Sequence, residues 1–436
     1  MTMKMHSVKA FFSFLILACV SAGATAGVKI EHWTTAAGAR VYFVEARGLP
    51  ILDVEFDFAA GNVYLVPGKA GLPGLTRGLL EAGAGDLDEE KLAERLTDTG
   101  AQLGGGVDND RASVVLRTLS AKPEREAALA LMRTVLSAPT FPEAILAREK
   151  ERSIAAIREA DTQPGAIAAK RFAAAIYPDH PYGVSATAES VAAITRQDLI
   201  DFYQQHYAAK NATISLIGDI SRTEAEAIAN QLSQALPAGG VPVVLPPVTL
   251  PKSQTIKVPH PAAQSHVYIG LPAVRRGDAD YFALLVGNYS LGGGGFASRL
   301  MKEVREKRGY AYSVSSYFYP QRLLGPFEIS LQTKRSQVND AIKVVNDVLS
   351  TFMAQGPTAK ELIEAKKNLV DGLALRLDSN AKLLGYLSTI GFYGLPLTYL
   401  DDFPARVNAV TVTQVHDAFA RHVLRDHLVT VIVAAD

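Results

Sequence analysis

Ser298-Arg299-Leu300-Met301-Lys302-Glu303-Val304-Arg305-Glu306-Lys307-Arg308-Gly309-Tyr310-Ala311-Tyr312-Ser313-Val314-Ser315-Ser316 reads as a helix, a stop and a strand in direct succession. The helix is expected to end near Arg308, with Gly309 as its left-handed cap and an alternating strand after it. Arg305 falls on the last helical turn, where a positive charge suits the helix dipole, and Tyr312 falls at the start of the strand. Working outward, helical patterns with apolar residues three and four apart recur at Glu89 to Thr99, Glu124 to Leu136, Pro142 to Ala160, Arg196 to His206, Thr223 to Leu236, Val338 to Ala354 and Ala359 to Leu375. Strand-like runs recur at Ala112 to Leu119, Ala212 to Ile217, Pro326 to Thr333 and Leu428 to Ala434.

These elements fall into two regions of similar length around Ala235 to Lys252, where prolines are dense and periodicity is lost, as in an extended linker. The regions begin alike. Ile51 to Ala59, alternating as Leu52-Asp53-Val54-Glu55-Phe56-Asp57-Phe58, has its counterpart in His266 to Leu271, and each is followed by a polar loop and a helix rich in Leu, Ala and Gly. Strands interleaved with helices in two matching halves predict an α+β duplication, with helices against one face of each sheet.

A chain of 436 residues is too long for one small core, which is consistent with such a division. Lys plus Arg equals Asp plus Glu at 44 each, so no electrostatic footprint points to nucleic acid or an anionic membrane surface. Lys4 and Lys9, the apolar run Ala10 to Val20 and the small residues Ala24-Thr25-Ala26 have the three parts of a secretory signal, which predicts export to the periplasm. No later stretch reaches the ~20 apolar residues of a transmembrane helix. The one cysteine, Cys19, lies in that signal; the alternative is a lipidation site, since Ile16-Leu17-Ala18-Cys19 loosely resembles a lipobox. Either way, no cysteine ligand or nucleophile is expected in the mature chain.

The glycine clusters Gly104-Gly105-Gly106 and Gly292 to Gly295 fit no phosphate loop, because Gly295 is followed by Phe296-Ala297-Ser298 and not by Lys and a hydroxyl residue. They read as tight turns or close backbone approach. The nine histidines show no helical-turn pairing of the kind zinc needs; His180, His260, His266, His422 and His427 read as structural. No Gly-x-Ser-x-Gly elbow is present. By spacing alone, Arg305 and Tyr312 are equally a helix-end charge and a core tyrosine.

The Ser298 to Ser316 segment closely resembles the second-half signature of the pitrilysin/insulinase zinc metallopeptidases, in the short bacterial, mitochondrial-processing-peptidase-like branch. Gly71-Leu72-Pro73-Gly74-Leu75-Thr76-Arg77-Gly78 occupies the place of that family's zinc-binding helix. Tyr177 to Gly183, Asn211 to Asp219, Tyr393 to Leu400 and Val410-Thr411-Val412 are similar to further family segments. The resemblance implies two homologous halves, each a mainly antiparallel sheet with helices packed on one face. The expected divisions are a signal at 1–26, a peptidase-like half at 27–235, the linker at 236–252 and a second half at 253–436.

The family's inverted motif is His-x-x-Glu-His with a later glutamate ligand; the two histidines face the metal and the first glutamate acts as general base. Here those places read Gly74, Arg77 and Gly78, and the later helix offers Ala156. Glycine and alanine carry no donor atom, and a guanidinium neither binds zinc nor accepts a proton. No metal and no cofactor are therefore expected in this chain, with zinc residing in a presumed partner. The resemblance implies that Tyr312 donates to the oxyanion of the tetrahedral intermediate and that Arg305 binds a peptide carbonyl, both in trans. The expectation is a non-zinc subunit of a heteromeric periplasmic metalloendopeptidase that acts on peptides or unfolded segments, inactive alone and active with a homologous zinc-bearing subunit. The alternatives are a noncatalytic structural or peptide-binding protein of the same fold, and a homodimer when the partner is absent.

Overall fold

The computed structural model describes residues 28–434; the signal expected at 1–26 and Cys19 lie outside the described residues. The first half lays down β1 (Glu31–Thr34), β2 (Arg40–Glu45), β3 (Ile51–Phe58), α1 (Leu72–Gly78), β4 (Gln102–Gly104), β5 (Ala112–Leu119), α2 (Lys122–Ser137), α3 (Glu143–Ala160), α4 (Pro164–Ile176), β6 (Ala212–Gly218) and α5 (Arg222–Ser233). Its six strands order as β1-β2-β6-β3-β5-β4. All neighbours are antiparallel except β2 and β6. No helix or strand interrupts the proline-rich stretch from Gln234 to Ser253.

The second half repeats the plan with β7 (Gln254–Val258), β8 (Gln264–Val274), α6 (Tyr281–Asn288), β9 (Ala311–Phe318), β10 (Gly325–Lys334), α7 (Val338–Gln355), α8 (Ala359–Asp371), α9 (Asn380–Tyr393), α10 (Tyr399–Ala409), α11 (Val412–His422) and β11 (Val429–Val433). Its sheet orders as β9-β10-β8-β11-β7, again with one parallel pair, β7 and β11. Read from the other edge, β7-β11-β8-β10-β9 matches β2-β6-β3-β5-β4 strand for strand. The duplicated α+β architecture with mainly antiparallel sheets is thus present in the connectivity itself.

Each half packs its own helices on one sheet face. Leu52, Val54, Phe56 and Phe58 of β3 are fully buried there, in one core with residues of α2 and α5. The opposite face is also covered, which the alternating pattern of β3 did not reveal: Asp53, Glu55 and Asp57 are buried as well. The cover comes from the other half. α9 lies across the first sheet, where a Cβ at Gly391 would come within 2.6 Å of Tyr42 and Thr213. In return α4 lies on the second sheet, with Phe172 stacked on Tyr268 at 5.4 Å between ring centroids. Each of the two large sheets is therefore a sandwich filling between its own helices and one borrowed helix. Among the described residues no helix is long and apolar enough to cross a membrane.

Candidate functional site

The helix α1 starts after Gly71, whose φ of +102° only glycine adopts without strain, and carries Pro73 in its first turn. Leu72 and Leu75 anchor it in the core. Gly74 and Gly78, one turn apart, face a cleft of about 580 Å³ whose far wall is α3, with Arg148, Glu149, Arg152, Ser153 and Ala156. A Cβ at either glycine would meet nothing within 4 Å, so both positions open onto free space. The structure thus brings Gly74, Gly78 and Ala156 to one cleft, and none of the three supplies a donor atom.

The charged residues that line the cleft are already committed to one another. Arg148 makes a bidentate pair with Glu89 at 2.7 and 2.9 Å and a further bond to Glu149 at 2.8 Å. Arg152 reaches Glu149 at 3.1 Å. The hydrogen bond from Arg148 holds the Glu89 carboxyl below its ordinary range. Among the described residues no three His, Cys, Asp or Glu ligand atoms converge in this cleft, so the residues present do not fit a zinc ion.

Arg77 was expected in the place of the general base, facing the metal position. The structure turns it away. The side chain does not line the cleft; it runs beneath α1 to the first sheet, where Nε donates to the Ser113 carbonyl of β5 and Nη1 donates to Glu81 at 2.8 Å. It is 5% exposed, and Nη2 has no hydrogen-bond partner among the described residues. The physical reason is the short reach from α1 to β5 across Gly105, which leaves a slot for a guanidinium beside a backbone carbonyl. Arg77 therefore ties the helix to the sheet, and the carboxylates that do line the cleft, Glu89 and Glu149, are paired with Arg148 and Arg152.

In the second half, the helix that leads to Gly309 is widened: Lys307 N–H bonds to the Lys302 carbonyl, five residues back, at 3.0 Å. Gly309 has a φ of +63° and closes the helix with its N–H on the Arg305 carbonyl, while Tyr310 N–H reaches the Val304 carbonyl. The start of the helix is pinned by Arg299, which binds Glu361 of α8 through two bonds of 2.8 and 2.7 Å. Arg305 and Tyr312 are side by side: Arg305 Nη1 donates to the Tyr312 carbonyl at 2.7 Å. The guanidinium sits 4.6 Å from the Tyr312 ring centroid and 4.8 Å from that of Phe296.

Tyr312 is not a core tyrosine, since 82% of it is exposed. The register between β9 and β10 shifts between Ala311 and Val314, so Tyr312 bulges from the strand at an open sheet edge. Arg305 and Tyr312 do not line the α1 and α3 cleft. Among the described residues these form two separate clusters, a cleft in which Gly74, Gly78 and Ala156 offer no donor atom and, in the other half, a half-buried Arg305 beside an exposed Tyr312.

Two clusters escaped the sequence. His422 lies 3.0 Å from Asp280 and 3.7 Å from Asp278, two neighbouring carboxylates joined by a histidine far along the chain. Arg421 already grips both oxygens of Asp280 at 2.8 Å, which makes this a structural charge cluster. At the junction of the halves, Ser388 of α9 donates to Asp57 at 2.7 Å and accepts from Arg111, which lies 3.2 Å from Asp57. Burial, reinforced by the Asp57 charge, pushes Glu55 up to about 8, and burial raises Asp57 as well. Nearby, Tyr393 of α9 donates to Asp110 at 2.7 Å.

With the geometry established, the chain can be set against known proteins. The description "Peptidase M16 inactive domain" matches residues 193–369. The chain is similar to the solved structure of a peptidase M16 inactive domain from Pseudomonas fluorescens, at 39% identity and a TM-score of 0.90, covering 94% of this chain and 98% of that one. It is 29% identical over 276 residues to an uncharacterized zinc protease of Streptomyces coelicolor. That match spans 61% of this chain and 59% of the relative, less than two thirds of its length. It is also 24% identical over 426 residues to the non-peptidase homolog YmxG of Helicobacter pylori, covering 97% of this chain and 98% of that one.

Proposed function

The chain belongs to the peptidase M16 family and is similar to its inactive-domain members, and from that premise we propose that it is the zinc-free subunit of a two-chain periplasmic metalloendopeptidase. The observation that carries the reading is the contrast between the two clusters. Gly74, Gly78 and Ala156, none of which carries a donor atom, line one cleft, while a half-buried Arg305 and an exposed Tyr312 stand together elsewhere. The export signal read in residues 1–26 supports the compartment.

In this reading, a homologous subunit supplies the zinc and the general base. This chain contributes the Tyr312 hydroxyl as a hydrogen-bond donor to the developing oxyanion, and the Arg305 donors not used on the Tyr312 carbonyl to a substrate carbonyl. The Arg305 bond to the Tyr312 main chain holds the two donors in fixed relation, so little ordering is left for the moment of reaction. Substrate is a peptide or unfolded segment added as a strand at an open sheet edge, of which β4 and β9 are the two nearest these clusters.

The test is reconstitution with a zinc-bearing M16 homologue and a fluorogenic peptide. Tyr312→Phe is expected to lower turnover of the mixture by about 10²–10³-fold, the scale of one oxyanion donor. Because Tyr312 is so exposed, its stability should stay within about 0.5 kcal/mol of the parent, separating loss of chemistry from loss of fold. Undiminished turnover with both Arg305→Ala and Tyr312→Phe would overturn the role. The open edges of β4 and β9 also favour a second reading, a noncatalytic peptide-binding protein. It predicts that the zinc-bearing homologue works equally well without this chain.

A further inference from the structure

A pocket of about 550 Å³ in the second half lies where the N-termini of α6 and α10 meet one face of α9. Tyr281 and Tyr399 are the first residues of α6 and α10, and Lys382 and Tyr386 lie one turn apart on α9. Arg276 and Arg376 complete the wall. None of these residues belongs to the α1 and α3 cleft or to the Arg305 and Tyr312 pair.

The charge here is unbalanced. Lys382 is neutralised by Asp378 at 2.9 Å and also donates to the Leu375 carbonyl. The two guanidinium groups have no such partner among the described residues. Arg276 rests on the Tyr393 ring at 5.2 Å, and its buried Nε makes no hydrogen bond. Arg376 donates only to the Leu369 carbonyl and lies 5.8 Å from the Phe403 ring. The neighbouring carboxylate that might have served, Asp280, is held by Arg421 and His422.

Two uncompensated guanidinium groups in one concavity repel each other, and an unpaired buried Nε loses its hydration without return. The repulsion vanishes when an oxyanion occupies the space between them, since guanidinium forks pair with phosphate oxygens in bidentate fashion. The phenols of Tyr281 and Tyr386 add neutral donors, with Tyr399 hydrogen-bonded to Tyr281 beside them. Burial raises Tyr281 and Tyr399 further above neutrality, so both keep their protons. Tetrahedral geometry suits donors that arrive from three helices better than a planar carboxylate does. The volume, within the ~300–1,000 Å³ of small-molecule sites, exceeds what a bare phosphate fills.

We infer that the pocket framed by Arg276, Arg376, Tyr281, Tyr386 and Tyr399 is an anion site that binds a phosphate group, free or carried as a monoester on a small molecule.

Isothermal titration calorimetry on the full mature chain at constant ionic strength tests this, with inorganic phosphate, glycerol 3-phosphate and acetate as probes. Saturable one-to-one binding of both phosphates is expected, with acetate weaker. Arg276→Gln and Arg376→Gln should each weaken phosphate binding at least about tenfold, the value of one charge-assisted pair. Arg158→Gln, an exposed arginine on α3, should leave it unchanged. Absence of saturable heat with either phosphate, or equal affinity in the folded variants, overturns the site; acetate binding as tightly as phosphate overturns the ligand class. If circular dichroism shows that Arg276→Gln does not fold, the half-exposed Arg376→Gln decides alone.

Discussion

At Gly74 and Gly78, the places that the family resemblance gives to metal-binding histidines, no side chain is present and the space beyond the backbone is open. Geometry and chemistry are separable at this scale, which makes a strong prediction. The triple variant Gly74→His, Gly78→His and Ala156→Glu is expected to retain close to one zinc per chain after dialysis, by elemental analysis, while the parent retains none. A folded triple variant that holds no zinc would show that Ala156 does not face the two glycines in the required way. The lack of donor atoms at these positions was legible from residue type alone. The direction of Arg77 was not, because a long side chain takes the rotamer that finds a partner, and beside Glu81, four residues on, its partner is the Ser113 carbonyl of β5, far along the chain.

Elements were legible where one face is apolar and the other wet. Arg196–His206 and Ala112–Leu119 appear at the bounds their periodicity predicts. α9 was missed because it is borrowed by the opposite sheet and packed on more than one side, so it displays little amphipathic stripe; α4, α10 and α11 were missed although each has an apolar and a polar side. Small residues mark where α9 meets the first sheet. Gly391→Val would force Tyr42 and Thr213 apart by more than packed side chains yield, and should destabilise the chain by about 1–3 kcal/mol in urea unfolding. An unchanged midpoint would mean that α9 does not seat on that sheet.

For the molecule as a whole, the same exchange buries charge between the halves. Glu55 and Asp57 share the covered face of β3 with one arginine, Arg111, and burial raises both carboxyls. Between the ordinary carboxyl value of 4.5 and the folded value of about 8 for Glu55, the folded chain holds a proton that the unfolded chain has released. Stability from this group is thus full below 4.5 and is lost as pH rises toward 8, at about 1.4 kcal/mol per pH unit. His180, His206 and His266 act in the opposite direction, since burial lowers them from 6.5. The clean window is therefore pH 6.5 to 8. There the unfolding free energy should fall with pH, and Glu55→Gln should flatten that fall; a parent whose stability rises across the window would contradict the buried, protonated state.

Residue type and local period were enough to lay out a duplicated α+β chain, the stop at Gly309 with Arg305 and Tyr312 on either side of it, and a helix at Gly74 to Gly78 without donor atoms. These are properties of a residue and its near neighbours along the chain, where propensity, capping and donor chemistry act. The burial of Asp53, Glu55 and Asp57, the inward turn of Arg77, the bulge that exposes Tyr312 and the meeting of Arg276 with Arg376 required the folded molecule. The first depends on which surfaces the two halves place against each other, the others on how strands and helices pack within one half. That is a matter of contacts between residues tens to hundreds of positions apart, which no local pattern encodes.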